Sequence, residues 1–362
     1  MARKSTRQFP RFSNQQIVDA VISAMTENTE WKTRYAKYAE NISKFADKYA
    51  EISKSITIDP PLFLYSSISK IDNTDTYCFD VRYAGNSIGT ITSDQNGTIT
   101  EVEVKGNYAR KYLGYDGPDS LDWDSALQKY FSLFPKEMPQ NSSKTHGQEC
   151  RIENWMLSEF SKDSRKQNKL VCNIQPVKIA EQLLFQLTTA LSASHHEILP
   201  YYTKSRSKRG GGIDILARAT HSNNRFGNYL AVLELKDQNK PAESQAKTLQ
   251  QALAYATFLG CLIRSESGKT WWKIFGKNLE KNNELPSPLH IDVVTVMPKP
   301  IEESNEGVLD DIPITEGELS GKQKDNKVSI ILHPRTLYFE EKCGIPTNFF
   351  GTFKDSLVNK GE

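Results

Sequence analysis

Asp214, Glu234 and Lys236 are residues whose types and spacing suit bond-breaking chemistry. They fall in the stretch GGGIDILARATHSNNRFGNYLAVLELKDQNK, residues 210–240. Asp214 interrupts the apolar run Ile213–Ala217; Glu234 interrupts, and Lys236 follows, the run Tyr229–Leu235. Runs of this kind read as strands buried on both faces, where charge is expensive unless something binds it. Side chains alternate along a strand, so Glu234 and Lys236 share one face with Val232. With Asp214 placed mid-strand and the two strands neighbours, about 4.8 Å apart, both carboxylates and the ammonium converge on one point. Two convergent carboxylates in a partly dry pocket repel each other and call for a divalent cation. Oxygen ligands favour Mg²⁺ or Mn²⁺ over zinc. A lysine beside such a cation orients an attacking water, and its lowered pKa suits it to deprotonate that water. Together these parts make a phosphodiester hydrolase.

The elements that must hold these residues follow from the pattern on either side. The long apolar stretch from 242 to 263 reads as a helix and HIDVVTVMP (290–298) as a strand. Upstream, the pattern predicts a helical stretch over 150–162, a second helix AEQLLFQLTTALSAS (180–194) and a short strand over 197–202. Residues 299–326 are acidic and polar and read as a loop, and KVSIILHPRTLYFE (327–340) as one or two further strands.

The N-terminal part is organised differently. Residues 14–55 read as helical, with Trp31, Tyr35, Tyr38, Ile42, Phe45, Tyr49 and Ile52 in strict 4-3 spacing. That stripe is either a helix laid on its own domain, which the aromatic knobs favour, or a coiled-coil seam joining a homodimer or higher oligomer. Pro60 and Pro61 end it, and CFDVRYAG, SIGTITS and TITEVEVKG follow as alternating strands, the last pair joined through Asn96-Gly97. A helix is expected over Ser120–Leu133. FPKEMPQNSSKTHGQE (134–149) has the composition of a linker. The expected division is a separate α+β domain over 1–138, serving sensing or oligomerisation, and a second domain over 149–362.

The order Gly-Gly-Ile-Asp214, Glu234-Leu-Lys236, then a helix carrying Gln251-Ala-Leu-Ala-Tyr255 resembles the PD-(D/E)xK nuclease superfamily, and within it the RecB-type branch with QxxxY. The resemblance spans residues 180–298. It implies an α/β, restriction-endonuclease-like mixed sheet flanked by helices, with Mg²⁺ or Mn²⁺ as cofactor. Asp214 and Glu234 then resemble the metal ligands, with the backbone carbonyl of Leu235 a third, and Lys236 the catalytic lysine. Gln251 and Tyr255 would orient the site or the scissile phosphate. An acidic residue from an earlier helix is often added in the family; Glu181 fits that role best and Glu153 is its rival. The family's common substrate implies DNA over RNA, cut by an endonuclease, and a bacterial antiviral setting suits a nuclease joined to a sensing domain. No proline precedes Asp214, the upstream histidine of many RecB-type members has only His195 and His196 as counterparts, and no four cysteines have iron–sulfur spacing.

Glu-x-Lys is common by chance, and the chain has four: Glu30 to Lys32, Glu103 to Lys105, Glu234 to Lys236 and Glu340 to Lys342. Glu103 and Lys105 alternate with Val102 and Val104, the pattern of a half-exposed strand. Only Glu234 lies in a strand apolar on both faces. Its bland alternative is an ordinary buried ion pair with Lys236. Such a protein would bind or assemble with nucleic acid without cutting it.

Lys204, Arg206, Lys208 and Arg209, in KSRSKRGGG before Asp214, would hold phosphates, with Arg218 adding charge. Trp271-Trp272-Lys273 reads as docking aromatics rather than a base-stacking platform. GNSIG (85–89) lacks the strand-turn-helix context of a nucleophile elbow, SGKT (267–270) lacks a phosphate loop's first glycine, and the six histidines lack zinc spacing. A formal net charge of +2 leaves any nucleic-acid surface to a local patch. Five scattered cysteines, no signal-like apolar run and no membrane-spanning stretch point to a soluble, cytoplasmic chain.

Overall fold

The computed structural model describes residues 13–72, 75–83, 85–135, 152–157, 174–180, 183–193, 199–200, 211–220, 228–236, 244–275, 284–299, 310–321, 326–342 and 345–351. The N-terminal helical segment divides in two. Ser13 and Gln16 form a capping box that starts α1 (Asn14–Glu27), and α2 (Glu30–Ser53) follows after the turn at Asn28. The aromatic stripe of α2 is buried inside the chain. Trp31 and Tyr35 meet Phe258 of α6 (Gln245–Ile263) with ring centroids 5.7 and 5.3 Å apart, and Tyr35 meets Trp271 of α7 (Gly268–Phe275) at 6.2 Å. Farther along, Tyr49 packs on Tyr77 and Phe79. The helix therefore lies across both halves of the molecule, and Trp271 and Trp272 are spent as buried docking aromatics.

The first sheet has the order β5-β4-β3-β2-β1-β8-β7. Its meander runs β1 (Leu62–Ser67), β2 (Thr76–Tyr83), β3 (Asn86–Asp94), β4 (Ile99–Val104) and the short β5 (Ser120–Leu121). Gly97, at φ +86°, makes the expected turn between β3 and β4. Between β4 and β5 lies α3 (Gly106–Leu113). Helical turns then run from α4 (Trp123–Ser125) to Leu133, within the expected helix.

The helix expected over 180–194 is not formed: its described residues make β8 (Leu183–Gln186) and β9 (Leu191–Ser192), preceded by β7 (Lys178–Ile179). Leu183, Phe185 and Leu187 are buried while Leu184 and Gln186 are half-buried, a period of two. The partner decides the matter. β8 completes the otherwise open edge of β1, in parallel, with Tyr65 opposite Leu184 and Ser67 opposite Gln186. Hydrogen bonding thus crosses the linker-like segment 134–149. β9 pairs with β10 (Leu199–Pro200), inside the short strand expected over 197–202.

The second sheet has the order β14-β15-β13-β12-β11-β6, with β16 (Ile345–Gly351) on the far part of β15. β6 (Ile174–Pro176), β11 (Ile215–Thr220) and β12 (Asn228–Leu235) form an antiparallel meander; β13 (Leu289–Pro298) and β15 (Val328–Lys342) continue it in parallel. α6 makes the crossover from β12 to β13 and covers one face. The other face takes α5 (152–157), through Ile152, Met156 and Leu157, together with Phe63 and Tyr65 of β1. The result is a mixed α/β molecule with two mixed sheets flanked by helices. Within the acidic segment read as a loop, β14 (Ile312–Thr315) and α8 (Glu316–Ser320) form instead. Alternating Ile312 and Ile314 and the capping box of Thr315 and Glu318 were the signals for them. Among the described residues, no helix is long and apolar enough to cross a membrane.

Candidate active site

β11 and β12 are neighbours, with Ile215 opposite Leu233; one residue further, that register sets Asp214 opposite Glu234. Asp214 occupies a bend immediately before β11 rather than the mid-strand position expected. The bend frees its carboxylate to turn toward the neighbouring strand: Oδ2 accepts the Leu235 N–H at 2.9 Å. Glu234 and Lys236 share one face as the alternation requires, Lys236 Nζ donating to Glu234 Oε1 at 3.0 Å. Both are buried, at 1% and 6% exposure. A buried pair of this kind is costly to form and more costly to break.

α6 lays the QxxxY pair against the same place. Its first turn is capped by Ser244, whose hydroxyl accepts the Lys247 N–H. Gln251 hydrogen-bonds Tyr255 along the helix, and Tyr255 lies close enough to Glu234 and Asp214 to feel their charge. Burial first, then Glu234, pushes the Tyr255 hydroxyl up to about 12, against the opposing Gln251 hydrogen bond. Gly211 is required here: a Cβ on it would stand 2.4 Å from the Tyr255 hydroxyl.

The third carboxylate is Glu153, on α5. Burial first, and the Asp214 carboxylate second, push its carboxyl up to about 7, against the Arg82 charge and the Tyr65 hydrogen bond. Tyr65 donates to Glu153 Oε1 at 3.3 Å. Asp214 is itself raised by burial, an effect opposed by the Leu235 N–H and by Lys236. Of the two candidates for the acidic residue from an earlier helix, Glu153 is thus the one brought to Asp214. Glu181 lies outside the described residues, and of the helix expected to carry it the described residues Leu183–Gln186 and Leu191–Ser192 form strands.

The structure therefore gathers Asp214, Glu234, Lys236, Gln251 and Tyr255, and Leu235 joins through its N–H, bonded to Asp214, rather than through the carbonyl expected as a ligand. Arg218 is on the Asp214 face of β11 but four residues along, its backbone roughly 13 Å away at strand spacing, and it is half-buried. Lys204, Arg206, Lys208, Arg209, His195 and His196 lie outside the described residues. Tyr65 and Arg82 are the neighbours sequence reading missed. They sit on alternating strands whose partner, Glu153, is some 70 to 90 positions away, and nothing local marks them. Another cluster also escaped the spacing rules. His290 Nδ1 and His333 Nε2 meet at 2.8 Å on β13 and β15, and Asp311 lies 2.9 Å from His333.

Asp214, Glu234 and Glu153 carry oxygen donors, the ligand type hard divalent cations take, and desolvation raises Glu153 and Asp214 above ordinary carboxylate values. In the present arrangement Lys236 engages Glu234. Among the described residues, no three His, Cys, Asp or Glu side chains surround a common point. Compared with known proteins, the chain matches no family model, no curated protein and no solved structure.

Proposed function

We propose that the protein is a metal-dependent nuclease that hydrolyses phosphodiester bonds, with a restriction-endonuclease-like second sheet and DNA as its substrate. One observation carries this reading: Asp214, Glu234 and Lys236 meet at the ends of adjacent strands, with Gln251 and Tyr255 of the following helix beside them. Asp214 and Glu234 would hold Mg²⁺ or Mn²⁺, with Glu153 and the Leu235 carbonyl as further oxygen donors. The cation, when bound, supplies charge neutralisation at the phosphate and a more acidic water. Lys236, freed from Glu234, would orient the attacking water and, once it has lost a proton to solvent and stands as the neutral amine, would accept the proton that water gives up. Leu235 fixes Asp214 through its N–H, and Gln251 holds the Tyr255 hydroxyl toward the carboxylates. Cytoplasmic location and a role in antiviral defence belong to the same reading.

The deciding experiment is cleavage of linear and circular, single- and double-stranded DNA by purified protein with Mg²⁺, Mn²⁺ or EDTA. Asp214→Ala and Lys236→Ala are assayed alongside. Metal-dependent cutting that both variants lose supports the nuclease, and nicked circles assign endonuclease action. Cutting that survives in both variants overturns it. The 3.0 Å Lys236–Glu234 contact favours one rival, a non-cleaving nucleic-acid-binding or assembly protein in which the pair is structural. DNA binding without cutting, unchanged in Lys236→Ala, is its signature.

A further inference from the structure

One face of the first sheet is built toward the site. β1 and β2 are antiparallel with Phe63 opposite Arg82 and Tyr65 opposite Asp80, and β8 adds Gln186 opposite Ser67. Alternation therefore puts Tyr65, Asp80, Arg82 and Gln186 on one face, the face that packs on α5. Their contacts form a continuous path. Arg82 Nε donates to Asp80 Oδ2 at 2.8 Å, and Arg82 Nη2 donates to Gln186 Oε1 at 3.0 Å. The Arg82 guanidinium lies 4.4 Å above the Tyr65 ring, and the Tyr65 hydroxyl donates to Glu153. Asp80 is held in turn by Ser87 and by Lys105 Nζ at 3.1 Å.

A second branch reaches Asp214. A Cβ on Gly212 would stand 2.8 Å from the Gln186 amide nitrogen, so Gln186 packs directly on the backbone two residues before Asp214. α5 itself is tied to the entry of β1, Asn154 Nδ2 donating to the Pro61 carbonyl at 3.0 Å. Both carboxylates at this end of the site are thus braced from the first sheet, through side chains that are largely buried.

We propose that the first sheet is a working wall of the catalytic centre, with Tyr65 and Arg82 as positioning residues that hold Glu153 and the Asp214 bend in the arrangement a divalent cation needs. This rests on the nuclease reading and gives the N-terminal part a role in metal loading. Groups that orient ligands from behind typically tune metal affinity by about 10- to 100-fold. An ion pair that merely glues two sheets together tunes melting temperature instead.

The test uses the full chain and Mn²⁺ alone as probe, its binding titrated calorimetrically in wild type, Asp214→Ala, Tyr65→Phe, Arg82→Gln and Arg82→Lys. Melting temperatures and the Mg²⁺ dependence of DNA cleavage are recorded in parallel. Tyr65→Phe keeps the ring under Arg82 and removes only the hydroxyl, so it is the variant least able to disturb folding. The expected result is Mn²⁺ affinity about 10-fold weaker in Tyr65→Phe and weaker still in Arg82→Gln, with Arg82→Lys recovering part of the loss. The Mg²⁺ needed for half-maximal rate rises in step, and by a larger factor than the rate at saturating Mg²⁺ falls. Wild-type affinity in Tyr65→Phe and Arg82→Gln, with only their melting temperatures lowered, overturns the proposal and leaves the nuclease reading standing. Equal Mn²⁺ binding by wild type and Asp214→Ala, or none by wild type, removes the nuclease reading and the proposal with it.

Discussion

The molecule contains the same tripeptide pattern on a strand of each sheet, with opposite fates. On β4, Glu103 points into solvent, and Lys105, at 39% side-chain exposure, reaches back to Asp80 and Ser87. On β12, Glu234 and Lys236 are closed off from water and bonded to each other, with an Asp from the preceding segment opposite. Glu-x-Lys is therefore no chemical unit in itself. On a half-solvated strand the pattern is split, with Glu103 left to water and Lys105 paired with the half-buried Asp80. A strand covered on both faces makes it a stored electrostatic cost, one that a bound cation would relieve under the proposed function.

The comparison breaks most sharply at the two lysines. Lys236→Ala should abolish cleavage, a loss of about 10²–10⁴-fold in rate at saturating metal. It should also destabilise the metal-free chain by about 3–5 kcal/mol, because Glu234 stays buried while losing its 3.0 Å ion-pair partner. Lys105→Ala should cost about 1 kcal/mol or less and leave the cleavage rate near that of wild type. Denaturant titration and a cleavage time course of both variants check the pair. Should Lys105→Ala prove as destabilising as Lys236→Ala, burial is not what separates the two sites.

Replacing both β12 partners sharpens the contrast. Glu234→Gln combined with Lys236→Met should return stability to within about 1–2 kcal/mol of wild type while cleavage stays lost. Denaturation midpoints that stay as low as in Lys236→Ala would show that the lost packing, not the orphaned charge, sets the cost.

Glu153 supplies a pH axis. Its carboxyl is pushed up to about 7 in the folded chain from an ordinary 4.5. Between those values the folded chain binds more protons than the unfolded one. Stability from this group is therefore full below the unfolded value and lost as pH rises through the folded one. Glu153→Gln removes that dependence. In EDTA it should melt like wild type near pH 4.5 and be more stable by about 2 kcal/mol at pH 8, allowing for partial exposure. Parallel melting curves across this range would contradict it. The smallest effect is expected for Glu103→Ala: within about 0.5 kcal/mol in stability, with unchanged cleavage.

What the sequence made legible follows from the range of the interactions involved. Asp214, Glu234, Lys236, Gln251 and Tyr255 lie within 42 residues, on elements whose periodicity is strong, and their convergence needs only that β11 and β12 be neighbours. The hairpins of the first sheet were equally plain, because Asn96-Gly97 and strict alternation are local signals. Leu183–Gln186 was not legible. Its leucine-rich composition suits a helix, and the open edge of β1 that makes it a strand is contributed by residues near Tyr65. Glu153 was visible as one of two acids, but only packing against Tyr65 and Asp214 separates it from Glu181. The bend at Asp214 was hidden too, since an apolar run does not report where its strand begins.

The parallel pairing of β1 with β8 also sets a timetable. During synthesis β1 emerges with one edge bare, and the strand that completes it follows roughly 120 residues later, on the order of ten seconds at ordinary translation rates. The nascent first sheet must wait that long with unpaired backbone N–H and C=O groups open to any passing strand. Release of the chain before Leu184 should therefore yield an aggregating fragment rather than a free-standing N-terminal module.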